Sequence, residues 1–374
     1  MRLLLAGMLL ASCRPGPFDS GLFDSVGPGD SGDSGVEDTG PPDDERGFGL
    51  LSLNLHCLLT SGTGFADNRA RFAAVAEVVA AERVRVIALQ ELCVSADESA
   101  PELLEQALEQ ATGSAWTLAA SFAHTGWEGT ADEADEYVGL AVQGGFIQSR
   151  ELVFHVQDGL RRVGVEGLWD AGFAQLSISS VHLDHQHDQA RLGQARQAAV
   201  EALVGPAGAA SLVLGDFNDT PGSDPFVAMQ AMGFDDWGAG LDDDRIDYVW
   251  AHRGVPLTVA RFERIFTGAP WPEVSDHAGM LAVVEPADPQ PVVMTTVSTE
   301  HAAHGRYLAL RGDTAPLSWE QGWPASRDGD GWTAAFSELG SDFEYKWLLD
   351  DVDWQAGDNR QGQAGQANQG EVDF

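Results

Sequence analysis

The chain has 374 residues, with 21 Lys+Arg against 58 Asp+Glu for a formal net charge of −37, and 44% of its residues are apolar. That apolar share supplies a sizeable core and excludes wholesale disorder, and the length suits about two or three domains. The basic residues are scattered and form no stripe to follow a nucleic-acid backbone, which argues against binding DNA by charge, and the 3 cysteines are too few for a disulfide scaffold or a structural zinc cluster.

Arg2, the apolar run Leu3 to Leu10 and the small residues before Cys13 read as a secretory signal over 1–13. The run is far shorter than the roughly 20 residues of a membrane span. Leu10-Ala11-Ser12-Cys13 resembles a bacterial lipobox, which implies acylation of Cys13 and a place in the cell envelope, held to the membrane by that lipid only. Residues 14–46 are Gly, Pro, Ser and Asp, too poor in large apolar groups to offset their ordering entropy, and read as an acidic disordered tether.

From Gly47 to Glu285 apolar runs alternate with amphipathic stretches. Strands are expected at 49–56, 84–90, 115–122, 138–142, 173–183, 211–215, 246–250 and 280–284, and helices at 68–81, 101–111, 188–203 and 225–232. This alternation is α/β with mixed sheets. Prolines mark 286–291 as a linker, 292–360 reads as a small all-β domain, and the Gln/Gly-rich 361–374 as a flexible tail.

The informative residues are polar groups at the ends of apolar strands, where ligands gather in open α/β sheets. Asn54 closes LSLN, Glu91 closes VIALQE and His182 ends LSISSVH. Asp216 and Asn218 follow LVLG, Asp247 sits in RIDYVW, and Asp276-His277 precede the last strand. Singly, each is explained by a cap or a satisfied core group; together they are not, because a buried carboxylate costs stability unless paired or bound to metal. Oxygen donors without the Cys/His spacing of zinc suit a hard cation, and Mg²⁺ prefers one or two carboxylates plus substrate phosphate.

The segments LSLN, LQEL, SVHLD, LGDFND, RIDYVW and VSDHAG, in this order, resemble the endonuclease/exonuclease/phosphatase superfamily, which includes deoxyribonuclease I, neutral sphingomyelinases and inositol polyphosphate 5-phosphatases. The resemblance implies a four-layer α/β sandwich and in-line attack of water on phosphorus, with Mg²⁺ as cofactor and Mn²⁺ or Ca²⁺ as substitutes. It implies Glu91 as principal metal ligand with Asn54 beside it, Asp276 as an outer or second ligand, and Asp216 as general base or water-orienting carboxylate. Asn218 would position the phosphate, His182 and His277 would hydrogen-bond the phosphoryl oxygens, and Asp247 would hold the His277 ring. Val138 stands where family members often carry the Glu that orients His182, so Glu136 is the nearest candidate, and GGFIQSREL replaces a substrate-side turn. The substrate is a phosphoester: a lipid headgroup, a nucleic acid or a small phosphodiester. Excess acid disfavours a polyphosphate or long DNA.

The segments RYLALRGDTAPLSW, GWTAAF, FEYKWLL and VDWQAGDNR resemble starch-binding carbohydrate-binding modules. That likeness implies a β-sandwich and a site for an α-glucan or other polysaccharide at Trp319, Lys346 and Trp354, with Asn359 nearby, while Trp332 and Trp347 fill the core. The other functional class left open is a catalytically weak or inactive surface carbohydrate-binding lipoprotein. Finally, if Asn54 and Glu91 reach one ion, their strand ends lie side by side, which brings Cys57 and Cys93 within reach of a disulfide.

Overall fold

A computed structural model describes residues 47–374; the signal segment 1–13 with Cys13 and the tether 14–46 lie outside the described residues. Among the described residues, no helix is long and apolar enough to cross a membrane.

The first part runs β1 (Phe48–Asn54), α1 (Asn68–Ala81), β2 (Val84–Val94), α2 (Ala100–Thr112), β3 (Trp116–Gly126), β4 (Ala134–Gln143), β5 (Phe146–Val153), β6 (Val163–Asp170), β7 (Gln175–His182), α3 (Asp188–Val204), β8 (Ser211–Asp216), α4 (Asp224–Ala231), β9 (Phe234–Asp236), β10 (Asp247–His252), β11 (Leu257–Ile265) and β12 (Gly279–Pro286). The strands form two mixed six-stranded sheets, ordered β11-β12-β1-β2-β4-β3 and β5-β6-β7-β8-β10-β9. The two sheets pack face to face over a core that includes Leu50, Val86, Leu140, Ile178, Leu214 and Val249. Helices α1 and α2 cover the outer face of the first sheet through Phe72, Val75, Val79 and Leu104. Helices α3 and α4 cover the outer face of the second, giving the four-layer α/β sandwich.

Local chemistry sets the helix ends. Asp67 caps α1 by accepting from the Ala70 N–H at 2.8 Å, Ser99 caps α2 by accepting from Glu102, and α2 stops at Gly113 in the left-handed conformation.

The remaining strands are β13 (Met294–Glu300), β14 (Leu308–Gly312), β15 (Trp323–Pro324), β16 (Ser326–Asp328), β17 (Gly331–Ser337), β18 (Phe343–Leu349), β19 (Asp353–Trp354), β20 (Arg360–Gly362) and β21 (Ala367–Gln369). They make a four-stranded sheet, β16-β17-β13-β21, and a five-stranded one, β15-β14-β18-β19 with β20 on β18. Trp332 and Trp347 are buried between them.

Two expectations are corrected. The segment 361–374 is not a loose tail: β21 pairs in parallel with β13, and Val372 is buried in the core. GGFIQSREL is not a substrate-side loop; its residues 146–152 belong to β5, the edge strand of the second sheet. The two parts joined by 286–291 also pack together, because α3 is buried on both sides. Every residue of α3 from Ala190 to Leu203 except Arg196 is buried, and one hydrophobic cluster joins Leu203 and Val213 to Trp323, Trp332 and Phe336. Arg196 donates to the Gly322 carbonyl at 3.1 Å and stacks over Trp323, and Ser326 donates to Glu201 at 2.7 Å.

Candidate active site

Strand register builds the site. In the second sheet Asp216 is directly opposite His182 on β7 and Asp247 on β10, so three functional side chains stand in a row at one sheet end. In the first sheet Asn54 is opposite Gln90, with Glu91 next along β2. Glu91 sits in a bulge where β2 slips register against β4, and its φ of 48° re-aims the carboxylate out of the strand alternation. Beneath it, buried Gln90 donates to Ser180 Oγ at 3.2 Å and ties the two sheets together.

The groups converge on Asp216, which is 1% exposed. Its Oδ1 accepts from the Asn218 N–H at 2.8 Å, and its Oδ2 accepts from Asn54 Nδ2 at 3.2 Å. His182 Nε2 and His277 Nδ1 lie 3.7 and 3.9 Å from that same Oδ2. Burial, then the charge of Asp247, raise the Asp216 carboxyl above the ordinary carboxylate range. Asp247 is raised by burial too, against the hydrogen bond to His277 Nδ1 at 2.8 Å. Burial pushes His182 down to about 4, with the Arg162 charge adding to it. For His277 burial also pulls downward, but the hydrogen bond and charge of Asp247, with Asp216 and Asp276 behind it, prevail and lift it to about 10.

The His277 shift carries a stability prediction. The folded ring keeps its proton up to about pH 10, whereas an unfolded one releases it near 6.5. The stabilisation is therefore complete below about pH 6.5 and is lost as pH rises toward 10. In EDTA, the urea midpoint should fall with rising pH in the upper part of this window, where the histidines with lowered values are neutral in both states. Asp247→Asn should flatten the slope; an unchanged slope would contradict the pairing.

The expected metal ligands do not all lie at one place. Asn54 Oδ1 accepts from the His56 N–H at 2.9 Å, which turns the amide nitrogen toward Glu91 Oε1, 3.1 Å away, and Asp216. Asn54 thus links the two carboxylates through its amide nitrogen, at the place where Glu91 and Asp216 approach. Asp276 faces His56 at 3.4 Å and does not line the cleft that contains Glu91. Asp216, Asp247 and His277 offer ligand atoms within 4.8 Å of one another. There the Asp247–His277 hydrogen bond already occupies Nδ1, so this trio is better matched to moving a proton than to cradling an ion. A hard cation fits the carboxylate oxygens of Glu91 and Asp216, which Asn54 brings together.

A cleft of about 470 Å³ opens over these groups, lined by Glu91, His182, Asp216, Asn218 and His277 and by residues that the motifs did not mark. These are Arg162, His185, His124, Trp127 and Leu160. Arg162, 3% exposed, reaches His182 Nδ1 at 3.1 Å and His185 Nδ1 at 2.7 Å. Glu136, the nominated partner of His182, lies 3.2 Å from the same Nδ1 and 3.4 Å from His124 Nε2. The run HLDHQH flags His185, but nothing in DGLRRVGV singles out Arg162 from its neighbour Arg161.

The structure pairs Cys57 with Cys93 in a disulfide, their Cα atoms 4.8 Å apart, closing a loop that spans β1's exit and α1 up to β2. Non-reducing peptide mapping of the protein purified under oxidising conditions should recover the linked peptides, and reduction should lower stability by about 2–4 kcal/mol. Two alkylatable thiols in that protein would contradict the bridge.

In the C-terminal part, the Trp319 and Trp354 ring centroids are 6.1 Å apart, with Trp354 44% exposed and backed by Arg311. Lys346 and Asn359 are engaged internally: Lys346 Nζ donates to the Gly357 carbonyl at 2.6 Å, and Asn359 Nδ2 to Glu344 at 2.9 Å.

The sequence profile of the Endonuclease/Exonuclease/phosphatase family matches residues 51–277. No curated protein matches the chain. Among solved structures, an endonuclease/exonuclease/phosphatase family protein from Leptotrichia buccalis C-1013-b is similar at 19% identity and a TM-score of 0.52, over 64% of this chain and 99% of that one. An endonuclease/exonuclease/phosphatase from Beutenbergia cavernae DSM 12333 is similar at 16% identity and a TM-score of 0.53, over 85% of this chain and 100% of its own. That share is too large to be held by residues 47–285 alone, so the likeness in fold extends into the C-terminal strands. The human Nocturnin catalytic domain, with bound sulfate anion, is similar at 15% identity and a TM-score of 0.50, over 64% of this chain and 95% of that one. The family takes in phosphatases, nucleases and phosphodiesterases, its hydrolases act on phosphoester bonds, and it is generally dependent on a divalent metal. With the profile spanning the strand ends from β1 to His277, this chain belongs to the endonuclease/exonuclease/phosphatase family.

Proposed function

We propose that the protein is a Mg²⁺-dependent phosphodiesterase of the cell envelope, anchored through Cys13, with an accessory face for α-glucan. The observation that carries the hydrolase reading is the meeting of His182, Asn54 and His277 around one buried carboxylate, Asp216. A hard cation held by Glu91 beside Asp216 would supply Lewis-acid stabilisation of the phosphoryl charge. The other roles belong to the chain. Asp216, with its carboxyl raised, suits taking a proton from the attacking water. His277, kept protonated by Asp247, faces the developing charge and can pass its proton to the leaving oxygen.

Trp127 (42% exposed) and Leu160 (39% exposed) line the outer cleft and favour a substrate whose organic part has an apolar face. Such a diester with low net charge meets the least repulsion from an acidic protein. The paired indoles of Trp319 and Trp354 support the glucan reading, since they offer adjoining flat faces on which sugar rings can stack.

The test uses the intact chain against DNA, sphingomyelin and soluble inositol phosphates, each with Mg²⁺, Mn²⁺, Ca²⁺ or EDTA. Metal-dependent release from a diester supports the reading. Inactivity on all three, combined with Trp354-dependent retardation in native gels containing soluble starch, would leave a carbohydrate-binding lipoprotein instead.

A further inference from the structure

We infer that Arg162 is a positioning residue that fixes the tautomer of His182, holding its proton on Nε2 so that the ring donates into the cleft. This rests on the reading of His182 as a phosphoryl-oxygen donor. The geometry is specific. A guanidinium only donates, so where Arg162 Nη1 stands 3.1 Å from His182 Nδ1 in hydrogen-bond alignment, that nitrogen must present a lone pair. The ring's proton then sits on Nε2, the atom 3.7 Å from Asp216 Oδ2 at the centre of the site. Which nitrogen of a histidine carries the proton is set by the bond the other one makes.

Glu136 competes for the same atom. Its Oε1 is 3.2 Å from His182 Nδ1, but without the alignment of a hydrogen bond, and it also receives Arg162 Nη1 at 3.5 Å. Were Glu136 in control, it would draw the proton to Nδ1 and leave a lone pair at Nε2 facing a carboxylate, which is repulsive. The arginine is built to win. It is 3% exposed, and its backbone is clamped by Gln157, which accepts from the Arg162 N–H at 2.8 Å and donates to the Arg162 carbonyl at 2.7 Å. Its second nitrogen, Nη2, is 2.7 Å from His185 Nδ1, so one side chain touches two rings on one wall of the cleft. His182 and His277 are then oppositely wired: Nδ1 of His182 accepts from a cation, whereas Nδ1 of His277 pairs with the Asp247 carboxylate.

The test reads the ring directly. In protein labelled with ¹⁵N in histidine, His182 is assigned by the loss of its signals in His182→Asn. At neutral pH the intact chain should show a proton on Nε2 and a lone pair on Nδ1; a proton on Nδ1 overturns the inference. Glu136→Gln should leave that tautomer in place, and a switch in this variant would also overturn it, because it would give control to Glu136. Arg162→Met should move the proton to Nδ1 and lower kcat by about 10–100-fold with KM little changed, the range typical of lost outer partners of a functional histidine. Arg162→Lys, which keeps a donor, should recover part of kcat. The spectrum needs no substrate, so an Nε2–H ring in a protein that hydrolyses nothing would sink the hydrolase reading and leave the role of Arg162 standing.

Discussion

Asp216→Ala and His277→Gln should each lower metal-dependent phosphoester hydrolysis by about 10²–10⁴-fold, the usual worth of a general acid or base. Asp216 holds the centre of the site through Asn54 and the Asn218 N–H, and no hydrophobic cluster depends on it. His277 is half-buried at the cleft, and Gln at that position can still donate to Asp247, so the carboxylate is not left stranded. Both variants should therefore keep the wild-type far-UV spectrum. Their losses should fall mainly on kcat, and the double variant should lose much less than the product of the two, because residues that act as a unit are not additive. Near-wild-type turnover in either would remove that residue from the mechanism.

The largest structural effect should come from Gly215→Ala, inside the GDFN motif. Gly215 has φ of 148°, a region closed to L side chains, and an added Cβ would run into the carbonyl oxygen of Val181 on the neighbouring strand. Backbone strain of about 1–3 kcal/mol and overpacking of similar size give a loss of about 2–6 kcal/mol. The same close approach sets His182 beside Asp216, so whatever folds should also be inactive. Urea unfolding checks the first part and the phosphoester assay the second. A variant of wild-type stability would show that the strands can part without cost.

Much of this was readable because function and strand ends coincide. A carboxylate or histidine closing an apolar run is conspicuous, which is how Glu91, His182, Asp216 and Asp247 were found, and α1 occupies residues 68–81 as its periodicity predicts. The strands missed are those whose pattern is blurred by their place in the fold. β5 and β11 are edge strands that expose Arg150, Glu151, Arg261 and Arg264, and β6 carries two glycines and a buried Glu166 neutralised by Arg150. The Gln/Gly-rich C-terminus looked unstructured because its order comes from pairing with β13 and β18, not from its own composition. Arg162 was invisible for a similar reason: its importance lies in two histidines more than 19 residues away in the chain. Asn54 was legible as a site residue but not in its orientation, which depends on the His56 N–H.

The central claim is that the convergent strand ends direct water onto phosphorus with the aid of a divalent cation. It is tested most directly by turnover of bis(4-nitrophenyl) phosphate in H₂¹⁸O with Mg²⁺. Attack at phosphorus predicts one ¹⁸O atom in the phosphate-bearing product, none in the released nitrophenol, and loss of turnover in EDTA. Label in the nitrophenol, or undiminished turnover in EDTA, would contradict it.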